Sequence, residues 1–371
     1  MHLAKGLPGI NQGFMKSTHV FLLAGVALLA ASCTAEMRQN LETEPVAYGP
    51  LNHLVVVADS SLWASEVGDT FDYYFAGAYP ILPQPEPIFD LRYFTPEELM
   101  GADERRELRT YIFLADLQQK DSPVTRLVEA DMGLEKVEEA RKEKGFKITL
   151  AKDKWAKGQL LIYMAGNDRA ALIASIKSQY TAVIQRIRKE EEGRLDAGIY
   201  LGGTNDTLQE ELRLKLGVTM KVPADYFRAM DNPENRIMWL RKETKGLSSN
   251  IMIQVLPYTD KSQLSKEGIK AIREKLGKYV GSEISNTYMV TNDVDLPMLS
   301  SAGTFHNFYS VEARGIWEME NDYMGGPFIG ILVHNPNNNL LYYLEGFIYA
   351  PSESKREIMQ EVEHVIRTAR F

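Results

Sequence analysis

The apolar run Leu54-Val55-Val56-Val57 ends at Asp59-Ser60-Ser61, a pattern that predicts a buried strand entering a helix cap. Beyond it Trp63, Val67, Phe71 and Tyr74 recur at three to four residues and predict a helix with an aromatic stripe turned to a core. Pro80, Pro83, Pro85 and Pro87 then force an extended crossing, because each ring fixes φ and restricts the residue before it. A proline-rich segment can dock on an aromatic groove, but the motif is not repeated here. A rigid crossing between helix and strand is the simpler reading.

Strands are expected at Phe89–Phe94, Tyr111–Ala115 and Gly158–Met164, with a helical region at Val124–Lys144 broken near Met132-Gly133. In Ala171–Lys189, Ile173, Ile176, Tyr180, Val183, Ile184 and Ile187 make one continuous apolar helix face. This order predicts a ferredoxin-like, split βαβ first half over residues 51–192. The charge run Arg186–Arg194 reads as the solvated end of that helix, and residues 193–206 as a linker.

In the second half, residues 207–371, a short helix at Thr207–Leu216 stops at Gly217 and a strand is expected at Val218–Val222. Arg236–Lys242 and Asn250–Tyr258 predict a hairpin across Thr244–Ser249. A helix follows at Lys266–Val280, then strands near Thr287–Asn292, Tyr309–Glu318, Phe328–His334 and Leu340–Tyr349, and a closing helix from about Ser354 with Ile358, Val362, Val365, Ile366 and Ala369 inward. The fold class is α+β: two α/β-sandwich-like domains, the second an antiparallel sheet with helices packed on one face.

Composition adds an address. Residues 15–32 carry Lys16, an apolar run from Val20 to Ala31 and small residues before Cys33, the pattern of a signal peptide too short to span and stay. Met15 reads as the true start, with residues 1–14 an upstream extension. Cys33 is the single cysteine, so it has no partner for a disulfide or a thiolate metal site. Residues 33–50 read as a tether, with Pro/Gly punctuation and no periodicity. Loss of residues 1–32 removes Lys5 and Lys16 and no acid, moving the net charge from −8 to −10. That balance argues against nucleic acid as a partner.

Candidate chemistry is sparse. There is no P-loop, G-x-S-x-G elbow, H-E-x-x-H or C-x-x-C, and the four histidines beyond Cys33 are scattered singly, so no cofactor, metal site or catalytic residue is expected. Ser352–Lys355 has serine–lysine spacing without its partner motifs, and Ser354 with Glu357 reads instead as a capping box for the last helix. The most chemically loaded stretch is Glu312–Phe328. On a strand, Val311, Ala313, Gly315, Trp317 and Met319 share one face, and Glu312, Arg314, Glu318 and Glu320 the other. Arg314, Trp317, Glu318, Glu320 and Asp322, with Tyr343 and Glu345 on the neighbouring strand, form the candidate ligand or partner surface. Aromatics around Glu345 would desolvate it and raise its pKa, as a general acid requires. Alternatively, Glu345 answers Arg314 across the sheet.

Leu29-Ala30-Ala31-Ser32-Cys33 resembles the bacterial lipobox, which implies an acylated Cys33 at the mature amino terminus. Thr34, in place of an aspartate, implies sorting to the outer membrane. The stretches LPQPEPIFDL (82–91), KDKWAKGQ (152–159), NRIMWLRKET (235–244), NIMIQVLPYTD (250–260), RGIWEMENDYMGGPF (314–328) and EGFIYAPSESKRE (345–357) resemble a family of Bacteroidetes envelope lipoproteins of unknown function. The order of elements over residues 217–371 is similar to the fold of PsbP-type proteins and Mog1, whose members bind and assemble. These resemblances imply a lipid-anchored, non-enzymatic binding or assembly module with an envelope protein partner. The competing expectation is a carboxylate-dependent hydrolase using Glu345 with Glu318 or Asp322.

Overall fold

The computed structural model describes residues 44–142 and 145–371 of the chain, so the signal segment, Cys33 and the tether up to residue 43 lie outside the described residues. The first half runs β1 (His53–Val57), α1 (Ser60–Trp63), α2 (Glu66–Phe75), β2 (Asp90–Phe94), α3 (Pro96–Met100), α4 (Asp103–Arg106), β3 (Thr110–Asp116), α5 (Pro123–Met132), α6 (Leu134–Lys142), β4 (Phe146–Lys152), β5 (Leu160–Gly166) and α7 (Arg169–Ile199). Its five-stranded sheet has the order β2-β1-β3-β5-β4, parallel except for the edge strand β4.

That topology corrects the ferredoxin-like expectation. Leu54, Val56, Ile112 and Ile162 pack beneath α2 and α7, while Val55, Val57, Phe113 and Tyr163 pack beneath α5 and α6. Strands buried on both faces must be apolar on both faces, and here the helical crossovers between successive strands set them parallel. The uninterrupted runs of β1, β3 and β5 meet that requirement. Asp59 makes no side-chain cap on α1; it accepts from Ser122 Oγ and from Val124 N–H (3.2 Å), tying β1 to α5. The described end of the expected tether is also fixed, with Ala47 N–H donating to Lys157 O at 2.9 Å.

The second half runs α8 (Asp206–Leu216), β6 (Phe227–Asn232), β7 (Ile237–Thr244), β8 (Leu247–Pro257), α9 (Lys266–Gly277), β9 (Tyr288–Asn292), β10 (Leu299–Phe305), β11 (Phe308–Glu320), β12 (Gly325–Asn335), β13 (Leu340–Tyr349) and α10 (Arg356–Arg367). Its eight-stranded sheet has the order β10-β11-β12-β13-β8-β7-β6, with β9 paired beside β11. Lys245 and Gly246, both at positive φ, turn β7 into β8, as a two-residue hairpin requires. Helices cover both faces, not one. Leu212, Val362 and Ile366 of α8 and α10 lie over Ile329, Ile331 and Leu344; Ile269 and Leu276 of α9 lie over Met252, Trp317 and Phe347. The strand expected at Val218–Val222 is reduced to a single bridge between Thr219 and Arg370.

The halves interlock. α7 is 31 residues long and runs into the predicted linker, ending at Ile199. The proline-rich crossing leaves the first half, and Tyr79 and Leu82 join the core under α10. Ser354 does not cap α10. Lys355 stands at the N-cap position without a side-chain cap bond, and the free N–H groups of Lys355 and Arg356 are taken by Glu86 at 2.6 and 3.0 Å. The helix end is buried against the other half, so the cap arrives from the crossing segment.

Candidate functional site

The alternation read on β11 places the candidate residues on opposite faces of the sheet. Trp317 points toward α9, buried, its Nε1 donating to Ile348 O at 3.2 Å. Tyr343 and Glu345 share that face, and α9 closes it. Glu345 is 0% exposed and Arg273, from α9, 1%. Arg273 Nη2 lies 3.1 Å from Glu345 Oε1, Tyr343 Oη donates to Glu345 Oε2 at 2.8 Å, and Thr291 Oγ1 accepts from Arg273 Nη1 at 2.8 Å. The guanidinium stacks on Phe328, 3.8 Å from the ring centroid. Gly330 stands opposite Glu345 in register, and a Cβ there would meet the Tyr343 hydroxyl at 2.5 Å. Burial raises the Glu345 pKa, against the pull of Arg273 and Tyr343. The expected pairing of Glu345 with Arg314 is corrected: the sheet separates them, and the unforeseen partner is Arg273.

Arg314 faces α10; its Nε donates to Glu312 of its own strand and its Nη2 to Glu363 of α10, both at 2.7 Å. Glu318 is exposed and accepts from Asn292 Nδ2 at 2.8 Å; Glu320, also exposed, ends β11. Asp322 accepts the N–H of Tyr323 at 2.7 Å in the following turn. The seven candidates therefore form no common site. Among the described residues, no group of three or more His, Cys, Asp or Glu could hold a metal ion, and no helix is long and apolar enough to cross a membrane.

The concave site that sequence reasoning missed lies between the halves, a cleft of ≈160 Å³. Asn52, before β1, and Arg188, Glu191 and Glu192 of α7 form one wall; Gln360, Glu363, His364 and Arg367 of α10 form the other. Asn52, at φ 60°, exchanges amide hydrogen bonds with Gln360 (Nδ2 to Oε1 2.8 Å, Nε2 to Oδ1 3.0 Å). Its own N–H donates to Glu191 Oε1 at 3.2 Å. Glu191 is 6% exposed, and burial raises its pKa against the opposing pull of Arg194. Burial also pushes Glu363 upward, but Arg314 and Arg367 outweigh it and hold the carboxyl below its ordinary value. His364 Nε2 lies 3.0 Å from Asp196 Oδ1, and this hydrogen bond lowers the Asp196 pKa.

Exposed Arg188, over the Tyr79 ring, and exposed Glu192 leave one charge of each sign at the rim. The site can therefore receive a polar ligand through groups of both signs and through amides from both halves. Since Glu191 is buried in the cleft wall, the charge run Arg186–Arg194 is not simply the solvated helix end that its composition predicts. Ile184, Ile187, Arg188, Glu191 and Leu195 continue one helical face through it, and that periodicity was the available signal.

The sequence matches a Domain of unknown function (DUF8532) over residues 47–199 and a Domain of unknown function (DUF4837) over residues 205–368. No curated protein matches it. Among solved structures it is similar to the Ran-binding protein Mog1p of Saccharomyces cerevisiae, with 12% identity over 41% of this chain and 89% of that one and a TM-score of 0.28. It is also similar to LpqN, involved in cell envelope biogenesis of Mycobacterium tuberculosis, with 12% identity over 40% and 79% of the two chains and a TM-score of 0.26.

Proposed function

We propose that this chain is a lipid-anchored protein of the cell envelope, of the Bacteroidetes lipoprotein kind, and serves as a non-enzymatic binding or assembly module whose ligand or partner enters the cleft between its halves. Cys33 within its lipobox-like sequence supports the anchor, and Thr34 supports the outer membrane as the destination. The observation that carries the binding reading is the cleft itself. Its walls are held together by the Asn52–Gln360 pair and by Glu86 on α10, so it is formed before any ligand arrives. Ligand sites favour such boundaries between packed units, where side chains from both converge on one concavity.

The test is site-specific photocrosslinking in intact cells, with a photoreactive residue in place of Glu192 on the cleft rim and, as a control, in place of exposed Tyr73. A discrete adduct from the Glu192 position and none from the Tyr73 position is expected. The reading fails if the purified protein hydrolyses an ester or cell-wall glycan and Glu345→Gln or Glu318→Gln abolishes that turnover.

A further inference from the structure

A second cavity, of ≈220 Å³, opens at the amino-terminal end of the first sheet. By the same measure a single water needs ~10–15 Å³, so the space admits a small molecule. Strand alternation fixes its floor. Val55 stands beside Arg92 in the β1–β2 register and beside Tyr111 in the β1–β3 register. Residues two apart share a face, so His53, Val55 and Arg92 lie on one side of β1 and β2, with Asp90 beside His53, and Arg109 enters the lining from the residue just before β3. The helices on that side cover the sheet from Val55 and Tyr111 onward. The amino-terminal end is walled instead by Tyr48, Pro50 and Leu108, and Tyr48 is pinned by its hydroxyl donating to Glu104 O at 2.9 Å.

The lining carries His53, Arg92 and Arg109 and no carboxylate. Arg109 uses Nε on Ala47 O at 3.2 Å, and among the described residues its two terminal nitrogens meet no acceptor. Burial and then the neighbouring Arg194 push its pKa down, and Glu191 only partly offsets them. Arg92 stacks over Phe94, 5.2 Å from the ring centroid, and is exposed, in no ion pair among the described residues. His53 is 3.6 Å from Asp90, whose carboxylate also takes Arg356 at 2.7 Å. Two guanidiniums, held by stacking and by a backbone bond, thus line an open concavity with no carboxylate in its lining. Guanidinium forks match planar or tetrahedral oxyanions, and a phosphate has oxygens enough for two forks at once, where one fork occupies a carboxylate.

We infer that this cavity is a binding site for a phosphate group, borne by a small phosphorylated molecule or by a phospholipid headgroup, with Arg92 and Arg109 as its ligands. It is separate from the cleft between the halves.

The test uses the full chain with Cys33→Ala, titrated calorimetrically with methyl phosphate and with acetate, and floated with vesicles of phosphatidylglycerol or of phosphatidylcholine. Methyl phosphate is expected to bind in preference to acetate. Arg92→Gln and Arg109→Gln should each weaken it by about tenfold or more, the effect of losing one charge-assisted contact, while Arg188→Gln in the other cleft leaves it unchanged. The Arg92 side chain makes no hydrogen bond among the described residues, so Arg92→Gln reports on binding even if Arg109→Gln disturbs the fold. Capture by phosphatidylglycerol vesicles alone, lost in Arg92→Gln, supports the headgroup as the source. The inference is overturned if acetate binds as tightly as methyl phosphate, or if neither methyl phosphate nor phosphatidylglycerol binds in a manner that Arg92→Gln weakens.

Discussion

Glu86 and Arg356 lie 270 positions apart, yet the Glu86 carboxylate accepts the Arg356 backbone N–H at 3.0 Å and so caps the last helix of the other half. Lys355 N–H reaches the second oxygen at 2.6 Å, and Arg356 returns the contact through Nη1 to Pro87 O at 2.7 Å. An acid at a helix amino terminus satisfies free donors and meets the positive end of the helix dipole. The proline-rich crossing therefore holds the carboxylate in place and joins the two cores.

Glu86→Ala should cost about 1–2 kcal/mol, the scale of a lost cap, seen as a lower denaturant midpoint. Glu86→Gln, which keeps one acceptor oxygen, should lose less. An unchanged midpoint for Glu86→Ala would show that α10 is capped by other means.

The buried pair on the opposite face makes a different demand. Arg273→Met or Glu345→Leu alone leaves an uncompensated buried charge and should destabilise by about 3–5 kcal/mol. The double variant removes both charges, and its stability should recover most of that loss. Equal, additive losses in the double-mutant cycle would mean that the two groups are not coupled.

Glu191 sets a pH dependence whose sign follows from its burial. A carboxyl with a folded pKa above its unfolded value binds its proton more tightly when folded. The stability it contributes is complete below the unfolded value and is lost as pH rises through the folded one. Glu191→Gln keeps an acceptor for Asn52 N–H without the charge. Its stability relative to the natural chain should therefore climb as pH rises from the ordinary carboxylate range toward neutrality. Glu363, with a lowered pKa, works in the opposite sense, losing its contribution as pH falls, and is common to both proteins. A relative stability that drops with rising pH would refute the assignment.

Anchoring is tested apart from binding. Cys33→Ala should move the protein from the membrane fraction to the soluble fraction of fractionated cells. Undiminished membrane association would rule out Cys33 as the attachment point.

Gly346 offers a check on packing. A Cβ there would overlap Val362 and approach Ile366 Cδ1 at 2.6 Å. Gly346→Ala should push α10 from the sheet at a cost of about 1–3 kcal/mol, read as a lower melting temperature.

Most element types follow from local pattern alone. β1, β3 and β5 are legible as apolar runs, α7 and α10 as stripes at helical spacing, and the two faces of β11 as strict alternation, because such periodicities follow from local backbone geometry. The edge strands were harder to read. Residues Leu299–Ser301 and Ala302–Thr304 of β10 are exposed, so nothing selects an alternating pattern. Long-range packing settles which strands run parallel, that Glu345 meets Arg273 and not Arg314, that Glu86 rather than Ser354 caps α10, and that Asn52 finds Gln360 308 positions away. Each of these is a pairing between groups distant in sequence, chosen by how helices pack on sheets. No local pattern encodes it, and both the cleft and the basic cavity arise from such pairings.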